Sequence, residues 1–173
     1  MNDRLILTDL FDNEIGHMSK DEAHRSGRLH RAFSVFIIND GKMLIQKRNK
    51  NKYHSGGLWA NACCSHPRYG EALTDSVRRR LKEELGISCE FRELFDFVYF
   101  TEYGEELFEY EYDHVFLSEY QGGFDFDREE IEELRWINFD DLKSEMLEEP
   151  RKFSSWFMIA APKVLKLISE NRA

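Results

Sequence analysis

Apolar and polar positions along the chain follow two rhythms. Arg31 to Asn39 (RAFSVFIIN) is dense in aromatic and β-branched residues, as a buried strand should be. Asp40-Gly41 follows as a two-residue turn that needs positive φ at both positions, and Lys42 to Arg48 (KMLIQKR) returns as the second arm of a hairpin. A basic loop, Asn49 to Gly57, comes next. Arg4 to Asp9 reads as a short strand, Cys89 to Thr101 and Glu106 to Tyr120 as long strands around Tyr103-Gly104-Glu105, and Glu132 to Asn138, with Trp136, as a shorter one. Between Glu71 and Leu85 the rhythm changes: Leu73, Val77, Leu81 and Leu85 recur along one helical face, and Gly86 ends the helix. A brief helix is expected from Asp140 or Asp141 to about Leu147, and a last one from Ser154 or Ser155 to about Ser169, with Pro162 near an early turn or a kink. The mixture predicts an α/β (α+β) chain whose sheet is antiparallel or mixed rather than doubly wound.

The 173 residues suffice for one domain spanning 1–173, and no Pro/Gly/Ser linker or internal repeat divides them. At 42% hydrophobic and 33% charged, the composition is that of a globular protein and excludes wholesale disorder. The 24 Lys+Arg against 33 Asp+Glu leave a net charge of −9, which argues against bulk attraction to nucleic acid or to an anionic membrane. Any anionic ligand therefore needs a local basic cluster. Cys63, Cys64 and Cys89 make an odd set with an adjacent pair, a poor disulfide framework that suits a reducing compartment. The stretch from Met1 to Asp9 lacks the long apolar run of a signal peptide, and no segment reaches the roughly 18 apolar residues of a membrane span, so the expectation is a soluble, cytoplasmic protein.

Four stretches carry chemistry. In Leu58 to Pro67 (LWANACCSHP) the Cys64 thiol lies two positions from the His66 imidazole; nearby positive charge or a metal would activate such a thiol, whereas apolar burial would leave it a small packing residue. Around the main helix, Glu71 and Arg79 to Gly86 set acidic side chains opposite a basic loop, a combination suited to Mg²⁺ holding a diphosphate. On its own, the pairing of Arg79 with Glu83 and Arg80 with Glu84 reads as a solvated, salt-bridged face. Glu109 and Glu111 share one face of a strand, with Tyr110 on the other, which fits a metal, a shared proton or plain solvent-facing alternation. His24 and His30 enter the first long strand at a spacing that forms no familiar helical ligand pair.

Taken in this order, the four stretches resemble the type I isopentenyl-diphosphate isomerases, a branch of the Nudix superfamily. The likeness runs from Glu22 to Ser34 (EAHRSGRLHRAFS), through Trp59 to Pro67, the helix ending at Gly86 and the Glu109 to Glu111 strand, to Phe153-Ser154-Ser155-Trp156. It implies a Nudix-like α/β/α sandwich, with a mixed sheet flanked by helices. The implied activity interconverts isopentenyl and dimethylallyl diphosphate by adding a proton at one carbon and removing one from another. By the same resemblance Cys64 and Glu111 are the catalytic pair and Tyr99 assists near the glutamate. His24, His30, His66, Glu109 and Glu111 are the implied ligands of a divalent metal, for which Mn²⁺, Mg²⁺ and Zn²⁺ all suit the donors. Glu84, with the Cys64 carbonyl, is implied to hold the Mg²⁺ on the diphosphate. Lys20, Arg48, Lys52 and Arg80 correspond to diphosphate-binding cations, and Trp156 to a tryptophan over the isoprenoid tail.

The main alternative within the superfamily is a Nudix diphosphate hydrolase, whose helix glutamates cluster metal. Its box, G-x5-E-x7-R-E-U-x-E-E-x-G-U with U aliphatic, is met here by Glu71, Arg79, Leu81, Glu83, Glu84, Gly86 and Ile87, but Ser65 stands at the first glycine and Arg80 replaces a glutamate. A cation there weakens a hydrolytic metal cluster and suits phosphate holding. A non-catalytic Nudix-like module would be marked by loss of Cys64, Glu111 or a metal histidine, all of which are present. Cys63 reads as packing, and His114, three residues after Glu111, falls on the opposite strand face and outside the metal set.

Overall fold

Strand β3 (His30–Asn39) is the spine of the sheet in the computed structural model, which describes residues 4–52, 54–104 and 106–170. Its apolar run is continuous because both of its faces are covered. Phe33, Val35 and Ile37 pack with Val77, Leu81 and Leu85 of α2 (Leu73–Leu85), whereas Phe36 and Ile38 pack with Phe157, Ala160 and Val164 of α4 (Ser155–Glu170). Asp40 and Gly41, at φ 45° and 74°, close the expected hairpin to β4 (Lys42–Arg48).

The remaining strands attach around this hairpin. β8 (Phe108–Glu119) runs parallel to β3, with His30 beside Glu111 at one end and Ile38 beside Glu119 at the other. β7 (Arg92–Glu102) lies antiparallel to β8, and β9 (Ile131–Asn138) and β5 (Trp59–Asn61) both pair antiparallel with β4. β6 (Cys63–Ser65) crosses back onto β3, and β1 (Arg4–Thr8) joins β2 (Glu14–Ser19) to β3 through the Leu7–His30 pair. The result is a mixed nine-stranded sheet with α2 on one face and α3 (Phe139–Glu148) and α4 on the other, the architecture the motifs implied.

Some boundaries move for identifiable reasons. The strand expected from Cys89 starts at Arg92, because Ile87, Cys89 and Phe91 pack under α2 before sheet pairing begins. α3 starts at Phe139 with Asn138 as its N-cap, so Asp140 and Asp141 lie in its first turn, where carboxylates favour the positive end of the helix dipole. The helix α1 (Lys20–Ser26) was not foreseen: its seven residues are too few for a period to show. It carries a signal nonetheless, since Ser19 and Glu22 form a reciprocal capping box across S-x-x-E. Met1 to Asp3, Tyr53 in the basic loop and Glu105 in the turn between β7 and β8 lie outside the described residues.

Gly86 stops α2 at φ 70°, and a Cβ there would meet the Asp125 carbonyl oxygen at 2.5 Å. At the other end Glu71 braces the entry to the helix. Its carboxylate accepts two hydrogen bonds from Arg79, at 2.7 and 2.8 Å, and one from the Arg68 amide at 2.9 Å. Arg79 holds the Glu71 carboxyl below its ordinary value, so the interaction stabilises the fold above the unfolded carboxyl's pKa and is lost as pH falls through the lower folded value. Glu71→Gln is therefore expected to cost about 1–3 kcal/mol at pH 7 and much less at pH 3. Denaturant titrations of both proteins at the two pH values check this, and an equal gap at both would refute it.

Candidate active site

The period of β8 places Glu109, Glu111 and Asp113 on the same face as Val115 and Leu117, which pack toward α4. Both glutamates are buried, at 3% and 6% exposure, so solvent-facing alternation does not describe them: His54 from the loop after β4 packs against Glu109, and Tyr99 from the neighbouring strand β7 bonds both carboxylates. The β3–β8 register sets His30 beside Glu111, α1 supplies His24, and the end of β6 delivers His66. Ligand atoms of His24, His30, His66 and Glu111 all lie within 4.8 Å of one another.

The hydrogen bonds on the far side of two imidazoles fix their orientation. His24 Nδ1 lies 3.0 Å from the Phe108 carbonyl and His30 Nδ1 lies 2.7 Å from the Arg28 carbonyl. A carbonyl only accepts, so each Nδ1 carries a proton and each Nε2 is turned toward the centre of the site. His30 Nε2 is fully buried without a hydrogen-bond partner, 3.6 Å from a Glu111 oxygen. An orphaned, inward-aimed imidazole nitrogen beside a carboxylate fits a divalent cation. Burial pushes His24 down to about 3 and, against the opposing pull of Glu111, His66 down to about 4, so both are neutral at pH 7. Burial works to raise the Glu111 carboxyl, but His66 and His30 outweigh it and hold it well below its ordinary value.

Glu109, the fifth ligand implied by the family resemblance, is not among the four convergent groups and is instead wrapped by neighbours. Its oxygens face His54 Nε2 at 2.9 Å and the hydroxyls of Tyr99 and Tyr103, both at 3.2 Å. Tyr99 gives its shorter hydrogen bond, 2.6 Å, to Glu111 and so ties the two carboxylates together. Burial keeps the Tyr99 hydroxyl protonated and donating. His54 and Tyr103 were not singled out from the sequence: both come from loops, where no period marks a residue that turns inward.

The two adjacent cysteines point to opposite faces of β6. Cys63 is fully buried under α2, where it packs, while Cys64 opens into a cleft that is also lined by Glu111 and Trp156. Burial pushes the Cys64 thiol up to about 12, even though Arg48 Nη1 sits 3.6 Å from its sulfur, so the thiol carries its proton at neutral pH. Lys20, Arg48, Lys52 and Arg80 line the same cleft. Trp156 is anchored by its indole N–H to Asn61 Oδ1 at 3.0 Å, with Arg48 over its ring at 5.2 Å.

Arg80 and Glu84 are not on a solvated face. Glu84 is 3% exposed, and Arg80 turns into the cleft, with its Nε 3.0 Å from Glu84 and its Nη1 2.8 Å from Glu83. Burial raises the Glu84 carboxyl while Arg80 opposes that rise. The cleft also holds Glu130, missed in the sequence because it ends a loop. His114 faces away, with Nδ1 2.6 Å from Glu93 and Nε2 3.0 Å from Asp12.

Residues 28–157 match the NUDIX domain. The chain is 40% identical to isopentenyl-diphosphate Delta-isomerase 2 of Aromatoleum aromaticum over 174 aligned positions, covering 100% of this chain and 92% of that protein. It is 46% identical to the isopentenyl-diphosphate Delta-isomerase of Burkholderia multivorans, covering 91% of this chain and 90% of the relative. The chain belongs to the isopentenyl-diphosphate Delta-isomerase family, within the Nudix fold. A solved Deinococcus radiodurans structure superposes with a TM-score of 0.70 at 21% identity, covering 84% of this chain and 90% of the other, and a MutT NUDIX hydrolase from Burkholderia pseudomallei with 0.59 at 24%, covering 76% and 95%; both speak to the fold alone. In this isomerase-family chain the Nudix helix keeps Glu83 and Glu84 but carries Arg80 between them and the cleft, a cation where hydrolytic metal clustering calls for a carboxylate.

Proposed function

We propose that the chain interconverts isopentenyl diphosphate and dimethylallyl diphosphate, with Cys64 and Glu111 as the two proton-transfer groups. The observation that carries this reading is that a protonated thiol on β6 and a carboxylate on β8 line one cleft, with Arg48, Lys52 and Arg80 in the same cleft. Moving a double bond along the branched chain requires a proton to enter at one carbon and leave from another, and two groups on different strands meet that need. Because the reaction is reversible, each is acid in one direction and base in the other.

Tyr99, bonded to both carboxylates, positions Glu111. Trp156 offers its ring to the positive charge that develops on the hydrocarbon. Lys20, Arg48, Lys52 and Arg80 orient the diphosphate, and their location in the cleft supplies the local basic cluster that an acidic chain requires. His24, His30, His66 and Glu111, with Glu109 beside them, would hold a divalent metal, Mn²⁺, Mg²⁺ or Zn²⁺, and Glu84 a Mg²⁺ on the diphosphate. Bound metal would supply electrostatic control of the Glu111 proton and neutralise phosphate charge. Among the described residues no helix is long and apolar enough to cross a membrane, and a cytoplasmic setting with a small-molecule partner, and neither nucleic acid nor membrane, completes the proposal.

The test is to incubate the purified protein with isopentenyl diphosphate and Mg²⁺, with and without Mn²⁺ or Zn²⁺, following dimethylallyl diphosphate together with free phosphate and pyrophosphate. Isomer without hydrolysis is expected. Release of phosphate or pyrophosphate, or no conversion under any metal, would overturn the reading.

A further inference from the structure

The cations of the cleft already have an anion among them. The Glu130 carboxylate pairs with Lys52 Nζ through one oxygen and lies 3.5 Å from Arg80 Nη2 through the other. Lys52 belongs to the loop after β4 and Arg80 to α2, so Glu130 bridges two separate elements. Its own segment is pinned to both. The Asn49 amide donates to the Glu130 carbonyl at 2.9 Å, Asn49 Nδ2 to the Arg128 carbonyl at 2.7 Å, and the Asp127 amide to the Glu84 carbonyl at 2.9 Å. A carboxylate fixed by its backbone at the meeting point of two cations, and only about a quarter exposed at its side chain, is a built feature of the cleft.

We propose that Glu130 is a displaceable place-holder for the diphosphate: in the free protein it keeps Lys52 and Arg80 neutralised and aimed into the cleft, and the ligand binds by exchanging with it. The proposal rests on the reading of Lys52 and Arg80 as diphosphate-holding groups. Three features favour exchange over a purely structural ion pair. All three side chains line the same cleft as Cys64 and Glu111, so the pair sits where ligand must come. A diphosphate carries more negative charge and more acceptor oxygens than one carboxylate, and it can satisfy both cations at once. Lys52 and Arg80, side by side in a part-buried cleft, would repel one another, and a weak internal anion between them offsets that without matching the affinity of the ligand. Arg80 is also held from the helix side by Glu83 and Glu84, so it needs only a short swing to change partners.

Competition makes an unusual prediction of sign. Removing a carboxylate that holds a cation at a binding site should tighten anion binding, whereas removing a metal ligand or a structural brace should weaken it. The experiment is calorimetric titration of inorganic pyrophosphate, with metal chelated and again with Mg²⁺ present, into the native protein and into the Glu130→Gln, Glu130→Asp, Lys52→Met and Arg80→Met variants. Glu130→Gln is expected to bind metal-free pyrophosphate about fivefold more tightly, the scale of one ion pair, with the gain shrinking as salt rises. Glu130→Asp, which keeps the charge, should fall between native and Gln. In turnover, Glu130→Gln should lower KM and also lower kcat, because product leaves more slowly.

Weaker or unchanged pyrophosphate binding in Glu130→Gln, while Lys52→Met and Arg80→Met bind less tightly than native, would overturn the place-holder role alone. A loss seen only with Mg²⁺ would identify Glu130 as a metal ligand and overturn it too. Native affinity in both Lys52→Met and Arg80→Met would instead remove the diphosphate reading of the cleft, and this inference with it. Thermal unfolding of Glu130→Gln separates a brace from a place-holder, since tighter binding by a less stable variant still supports exchange.

Discussion

Cys64→Ala is expected to lower turnover of isopentenyl diphosphate by about 10³-fold or more while leaving the fold intact, the range that loss of one general acid–base group produces. The physical case starts with where the sulfur sits. Cys64 is on the cleft-facing side of β6, half-buried, and the cleft takes up the space vacated by its sulfur, so truncation leaves no sealed, dry cavity to destabilise the core. Burial keeps its proton on at neutral pH, so the group lost is a proton carrier rather than a standing charge. Cys89→Ala is the matched control: this third cysteine packs near α2 outside the cleft and should leave turnover unchanged. Steady-state rates and circular dichroism of both variants provide the comparison. Near-native conversion by Cys64→Ala would remove the thiol from the chemistry and return it to the role of a packing residue.

Glu111→Gln should have an effect as large and on two properties at once. The amide keeps the size of the carboxylate but cannot exchange the proton, and turnover is expected to fall by about 10³-fold or more. The same change removes the negative charge that faces His66 at 2.8 Å and His30 at 3.6 Å, so affinity for a divalent metal should drop at least about tenfold. Metal content after gel filtration, measured beside turnover at saturating metal, separates the two roles. If excess metal restores full turnover to Glu111→Gln, the residue is a ligand alone and the proton-transfer assignment fails. If metal affinity is unchanged while turnover collapses, Glu111 acts on the proton without holding metal.

What was legible in the sequence follows from how local each signal is. β3, the Asp40-Gly41 hairpin and α2 were readable because their causes lie within a few residues: a run apolar on both faces, two positive φ angles, a period near four ended by glycine. The family motifs carried Cys64, His66, Glu84 and Glu111 because their spacing survives in the linear chain. β5 and β6 were not readable, since three-residue strands show no period and exist only because β4 and β3 offer edges to pair with. β2, half exposed along its length, is fixed in the same way by β1.

The sequence by itself determined that Glu109 and Glu111 share a strand face and that an acidic chain must gather local cations to hold an anion. Only the tertiary structure decided that the glutamate face is buried, that Arg80 turns into the cleft with Glu84 buried behind it, that His54 and Glu130 arrive from loops to line the cleft, and that Tyr103 bonds Glu109. The reason is physical. Periodicity reports which side chains lie together on one element, while burial, charge pairing and pKa depend on what a second element places against them, and that partner is remote in the chain.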